Sequence, residues 1–213
     1  MNSSVKIIKL WGDATPYQKA LAKQMSLVKE VQTHPQLGAV LAYEHPKVVT
    51  LGVRSSEKDL LQSQSFYHEN CIEICEVNRG GEATFHNPGQ LVIYPILHLP
   101  SLGLKVKDYI CVLQKTTYAA LQGLGIEAFG RGDEPGVYTN NGKIAFIGVK
   151  VSGGVCYHGI AININNELSD FEAIQSCGVK NQKLDRAGNY KSNMTPHSFF
   201  GLWFEQFLAS IQP

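Results

Sequence analysis

Gly136-Val137-Tyr138-Thr139-Asn140-Asn141-Gly142-Lys143-Ile144-Ala145-Phe146-Ile147-Gly148-Val149-Lys150-Val151 is the stretch that decides how this chain folds. Two apolar runs, Gly136 to Thr139 and Lys143 to Val151, flank Asn140-Asn141-Gly142, a strong turn signal. The pattern predicts an antiparallel hairpin. Gly153-Gly154 then breaks the chain, and Cys156 to Ile164 resumes as another strand. Strands and helices are mixed along the chain, and several strands are expected to be antiparallel neighbours.

The same reading extends outward. Val5 to Leu10, Gly38 to Tyr43, Lys47 to Leu51, Ile72 to Val77 and Leu91 to Ile96 read as strands, with His45-Pro46 separating the second from the third. Thr15-Pro16 opens a helix, with Thr15 as N-cap and Pro16 in the first turn. Tyr17, Leu21, Met25, Val28 and Val31 follow at helical spacing. A second helix starts at Asp108, carried by Ile110, Leu113, Thr117, Ala120, Leu121 and Leu124, and stops at Gly123 and Gly125. Ser169 to Ile174 reads as a short helix capped by Ser169, and Thr195-Pro196 opens a last one ending near Ile211. No repeat, low-complexity segment or linker interrupts the chain. The expectation is one α+β domain over residues 1–213, a mixed central β-sheet with flanking helices.

Composition narrows the function classes. The chain has 213 residues, 44% hydrophobic and 17% charged, an ordinary globular balance. A net charge of +1 points to neither nucleic acid nor a membrane surface. No apolar run reaches the ~20 residues needed to span a bilayer. Met1-Asn2-Ser3-Ser4-Val5-Lys6 lacks the apolar stretch of a secretory signal, so a cytoplasmic location is expected. The odd cysteine count, five, favours free thiols. No CxxC pair occurs, so no structural zinc is expected. Cys71 and Cys75 fall on one face of an alternating run and read as buried core thiols.

Four segments carry candidate chemistry. Arg79-Gly80-Gly81-Glu82-Ala83-Thr84-Phe85-His86-Asn87-Pro88-Gly89-Gln90 is rich in glycine yet holds Arg, Thr and His. It reads as a binding loop with accessible backbone N–H groups, against the alternative of a plain connection. It lacks the Gly-Lys-Ser/Thr ending of a P-loop. Lys143 heads the apolar run Ile144 to Gly148. Most lysines are solvated surface charges, but burial there would lower its pKa toward a useful value. His158, in Tyr157-His158-Gly159-Ile160-Ala161, is either a satisfied core histidine or part of a site. Cys177, in Ser176-Cys177-Gly178, sits in a loop beside a glycine, either as packing or as a nucleophile. Gly-x-Ser-x-Gly and His-Glu-x-x-His are absent.

Together these segments resemble the lipoyl (octanoyl) transferases of lipoate biosynthesis. That family carries Arg-Gly-Gly-x-x-Thr-x-His-Gly-Pro-Gly-Gln, Lys-Ile-Ala-x-Ile-Gly, His-Gly-hydrophobic-Ala and Pro-Cys-Gly in this order. Glu44-His45-Pro46, Thr50-Leu51-Gly52 and Pro135-Gly136-Val137-Tyr138 are similar to further family segments. Asn87 stands where the family has glycine, Ser176 where it has proline, and Gly153-Gly154 where bulkier residues are common.

The resemblance implies the catalytic fold shared by lipoate and biotin protein ligases. It implies transfer of an octanoyl group from octanoyl-acyl carrier protein to a lysine of lipoyl domains, in 2-oxoacid dehydrogenase complexes or the glycine cleavage H protein. Cys177 would be the acyl acceptor and Lys143 its acid/base partner. Arg79, Gly80, Gly81, Glu82, Ala83, Thr84, Phe85 and His86, with Phe146, Ile147, Gly148, Gly159, Ile160 and Ala161, would line the acyl site, and His158 would support it. Thioester exchange is nearly balanced in energy, so neither ATP nor a metal is expected as cofactor. An ATP-dependent lipoate ligase, an octanoyl amidotransferase and a non-enzymatic acyl-binding or carrier-binding module are the alternatives. Asn87 would act on acyl chain length.

Overall fold

A computed structural model describes residues 5–131, 134–175 and 182–211. Among these described residues, ten strands and four α-helices follow in chain order. They are β1 (Lys6–Gly12), α1 (Tyr17–Thr33), β2 (Leu37–Tyr43), β3 (Val48–Leu51), α2 (Gln64–Glu69), β4 (Glu73–Glu76) and β5 (Ala83–His86). Then come β6 (Gln90–His98), α3 (Val106–Gln122), β7 (Phe129–Arg131), β8 (Glu134–Tyr138), β9 (Lys143–Ser152), β10 (Val155–Asn163) and α4 (Pro196–Ile211).

Seven strands form the main sheet in the order β1-β2-β6-β10-β9-β8-β7, and β4-β3-β5 form a small second one. Within the main sheet β1 runs parallel to β2, while β6, β10, β9 and β8 alternate antiparallel. The central sheet is therefore mixed. The second sheet, with parallel β3-β4 and antiparallel β3-β5, is absent from the sequence-based picture. Its β3 and β4 answer to the expected runs Lys47 to Leu51 and Ile72 to Val77, while the four-residue β5 was read as part of a loop, too short for alternation to be legible.

The main sheet has an apolar layer on each face. Period-two alternation along β6 sends Leu91, Ile93 and Leu97 to one core with α3 and α4, and Val92, Tyr94 and Ile96 to another with α1. Trp203 of α4 stacks on Phe207 and donates to Thr117 Oγ1 of α3 at 3.0 Å, locking the two helices together. A third cluster, Val49, Tyr67, Phe85, Phe146 and Phe171, packs the small sheet onto β9. Among the described residues no helix is long and apolar enough to cross a membrane.

Local signals resolve individually. Thr195 caps α4 as expected: its Oγ1 accepts from Ser198 N–H, and Ser198 Oγ accepts from Thr195 N–H. Thr15 does not cap α1. Pro16 occupies the N-cap position, and the Thr15 hydroxyl donates back to Asp13 C=O. The second helix begins at Val106, with Asp108 accepting from Lys105 N–H, a two-residue shift from the reading above. The short helix at Ser169–Ala173 is a 3-10 turn whose N-cap is Leu168, not Ser169. Cys75 is buried but Cys71 is exposed, in a turn with φ of 53° ahead of β4. The supposed shared strand face therefore does not exist.

Candidate active site

The glycine-rich segment is half loop and half strand. Residues 79–82 approach β9 and β3, and Ala83–His86 form β5. The close approach explains the glycines around it. A Cβ on Gly52 would lie 2.4 Å from Gly81 O, and one on Gly148 would lie 2.8 Å from Gly80 O. Gly80 N–H donates to Val149 C=O at 3.0 Å, which stitches the loop to β9. Arg79 is buried; its Nη2 donates to Thr50 C=O at 2.7 Å and to Thr50 Oγ1 at 2.8 Å. That guanidinium is a structural anchor inside the loop.

Between this loop, α1, β6, β9 and β10 lies a slot of about 50 Å³ with mainly apolar walls. Arg79, Gly80, Gly81, Glu82, Thr84, His86, Phe146, Ile147, Gly148, Gly159, Ile160 and Ala161 all line it. Ala83 and Phe85 do not. Alternation along β5 turns Thr84 and His86 toward the slot and sends Ala83 and Phe85 into the third apolar cluster. Tyr17, Val92, Tyr94 and His158 complete the lining. Sequence reading missed the first three because they look like ordinary core positions of a helix and a strand. Asn87 lies outside the lining: its amide donates to Glu167 C=O and Asp170 Oδ2, both at 2.8 Å.

A buried polar network backs the slot. His86 Nδ1 meets Gln90 Oε1 at 2.7 Å, and Gln90 donates on to Asn163 Oδ1 at 2.9 Å, which assigns the proton to His86 Nδ1. His158 Nε2 meets Asn78 Oδ1 at 3.0 Å, while Asn78 donates to Tyr157 OH. His158 takes a left-handed φ of 54°, so its ring joins Tyr157 and Tyr17 on the α1 face that strict alternation would deny it. His45 bonds Thr15 C=O and Tyr94 OH. Burial pulls His86 and His158 down to about 3 and His45 to about 4, so all three imidazoles are neutral at pH 7. The Thr84 hydroxyl, on the slot wall, is buried without a hydrogen-bond partner.

Lys143 is 1% exposed, at the head of β9. Its Nζ lies 2.9 Å from Glu134 Oε1, and 5.2 Å and 5.3 Å from the ring centroids of Phe146 and Tyr138. Its backbone is held from the other side: Lys143 N–H donates to Lys183 C=O at 2.8 Å, and Asp185 N–H donates to Lys143 C=O at 2.9 Å. Asp185 is itself fixed by Thr139, Tyr190 and Asn189. A Cβ on Gly142 would lie 2.5 Å from Lys183 O, so that glycine admits the 182–185 segment as well as ending a turn. Cys177, with Ser176 and Gly178, lies outside the described residues. No group of three or more His, Cys, Asp or Glu able to hold a metal occurs among the described residues.

An apolar slot whose wall residue Phe146 also lies 5.2 Å from the buried Lys143 Nζ, on a mixed sheet with flanking helices, is the frame in which the chain's relatives are found. Residues 16–198 match the family model of the lipoyl protein ligase A/B catalytic domain. The octanoyltransferase of Syntrophobacter fumaroxidans is 40% identical over 145 residues, 68% of this chain and 64% of that protein. The octanoyltransferase of Syntrophotalea carbinolica is 38% identical over 164 residues, covering 77% of this chain and 74% of that one. A crystal structure of lipoate-protein ligase A bound with ATP superposes with a TM-score of 0.75 at 13% identity, over 97% of this chain and 85% of that one. The chain belongs to the lipoyl protein ligase A/B catalytic domain family and, within it, to the octanoyltransferases.

Proposed function

We propose that the chain transfers an octanoyl group from octanoyl-acyl carrier protein to a lysine ε-amine of a lipoyl domain, through a thioester on Cys177. The observation that carries this is the placement of Lys143: buried beside Phe146, which is shared between the wall of the apolar slot and the Nζ environment. The acceptor domains would be those of 2-oxoacid dehydrogenase complexes or the glycine cleavage H protein, and the reaction would run in the cytoplasm.

The Cys177 thiolate attacks the thioester carbonyl. A new C–S bond forms, the carrier's C–S bond breaks, and the carrier thiol leaves with a proton from Lys143. The acceptor amine then attacks the enzyme thioester. Lys143, now neutral, takes the amine's proton as the amide forms and the Cys177 thiolate departs. Glu134 compensates the ammonium charge, and the aromatic faces of Tyr138 and Phe146 stabilise it further. The Thr84 hydroxyl is available to a substrate oxygen. No step consumes ATP.

Incubation with octanoyl-acyl carrier protein followed by intact mass measurement tests the scheme. The native chain should gain one hydroxylamine-labile octanoyl group and Cys177→Ala none. Equal acylation of the variant, or robust ATP–pyrophosphate exchange by the native chain, contradicts it.

A further inference from the structure

Lys143 touches wall residues of two cavities of opposite character. On one side Phe146 belongs to the apolar slot. On the other, Glu134 and Tyr138 belong to a second cavity, of about 310 Å³, walled also by Arg131, Asn140, Asn141, Gln182 and Lys183. This second wall is predominantly polar. Asn140, Asn141 and Gln182 bring carboxamides, which both donate and accept. Arg131 and Lys183, both exposed, bring two cations; the Arg131 guanidinium lies 4.4 Å over the Tyr138 ring.

One polar atom there, Gln182 Oε1, is buried without a hydrogen-bond partner. Burial and then its hydrogen bond to the Glu134 carboxylate push the Tyr138 hydroxyl up to about 12, so it keeps its proton at neutral pH and helps to hold Glu134. A desolvated acceptor without a partner on a cavity wall costs stability and suits a ligand N–H.

An acyl thioester on a carrier protein hangs from a phosphopantetheine arm: a linear chain with two amides and a phosphodiester. With the acyl tail in the apolar slot and its carbonyl near Lys143, the arm must leave by another route. We infer that the second cavity receives this phosphopantetheine arm, its amides against Asn140, Asn141 and Gln182, and its phosphate between Arg131 and Lys183. The inference rests on the octanoyl-transfer reading above. The lone carboxylate, Glu134, faces Lys143 and is neutralised by it.

Three octanoyl donors separate the contributions: octanoyl-phosphopantetheine, octanoyl-pantetheine without the phosphate, and octanoyl-N-acetylcysteamine with the arm cut short. Their kcat/KM values are compared for octanoyl transfer to a lipoyl domain. The native chain should favour the phosphorylated donor over pantetheine by about 10-fold at low salt, with the preference shrinking as salt rises. In the Arg131→Ala/Lys183→Ala double variant that preference should fall below about 2-fold through a rise in KM. A native chain that uses all three donors equally overturns the inference. So does a double variant that keeps the native preference, or one whose defect lies in affinity for the lipoyl domain instead. The native donor series stands even if the variant folds poorly. Failure to transfer octanoyl from any donor, carrier protein included, overturns the octanoyl-transfer reading itself.

Discussion

Lys143 shows how one residue's meaning changes with its surroundings. Burial alone disfavours an ammonium, but Glu134 at 2.9 Å supplies an opposite charge. The ammonium therefore serves best to support a thiolate and to return a proton to the leaving thiol. A free cysteine ionises at about 8.5, so help matters most below that pH. Lys143→Ala should slow Cys177 acylation much more at pH 7 than at pH 9.5, measured by single-turnover mass spectrometry; equal losses at both contradict the role. Thr84 supports a second prediction. Thr84→Val keeps the shape but removes a hydroxyl that has no partner. If that hydroxyl meets substrate, kcat/KM should fall about 5- to 10-fold, while thermal stability stays level or rises. An unchanged kcat/KM would leave Thr84 as a wall residue only.

At the scale of elements, the slot depends on backbones approaching closely. A Cβ on Gly159 of β10 would lie 2.2 Å from Ile93 O of β6, and 2.9 Å from Pro95 Cδ. Neither can yield as a flexible side chain does. Gly159→Ala should cost about 1–3 kcal/mol in urea unfolding and widen the β6–β10 spacing under the slot. A loss under ~0.5 kcal/mol would show that the strands have room to spare. The long elements were legible in sequence because their periodicity runs over many residues: α1, α3, α4, β6, β9 and β10 all lie close to their expected positions. β5, α2 and β7 were not, since strands of three or four residues and a six-residue helix are set by what they pack against. Sequence named the 79–86 segment as site-lining but treated it as uniform. Only β5's pairing with β3 shows that every second residue turns away.

For the whole molecule, three buried neutral histidines link stability to pH. Burial holds His86 and His158 near about 3 and His45 near about 4, against an unfolded value of about 6.5. Each folded value is depressed, so the unfolded chain binds more protons between those limits. The contribution is complete above pH ~6.5 and is lost as pH falls, by up to about 1.4 kcal/mol per pH unit for each histidine. Melting temperature should therefore drop steadily from pH 6.5 to 4.5. A flat profile over that window would mean that the histidines gain solvent or partners on acidification. Asp185 acts at lower pH. Burial would raise its carboxyl, but hydrogen bonds from Thr139, Tyr190 and Asn189 outweigh that and hold it below its usual range.

The sequence by itself determined the family, the mixed α+β fold and most of the slot, because ordered motifs and long-range periodicity are local properties of the chain. It placed Lys143 at a strand head without revealing its counter-charge. What only tertiary structure decided are relations between distant segments: Glu134 against Lys143, residues 183–185 along the β9 head, Tyr17 and Tyr94 in the slot wall, and the polar cavity that includes Glu134 and Tyr138. Burial and charge pairing arise from packing, and no spacing along the chain encodes which surfaces will meet.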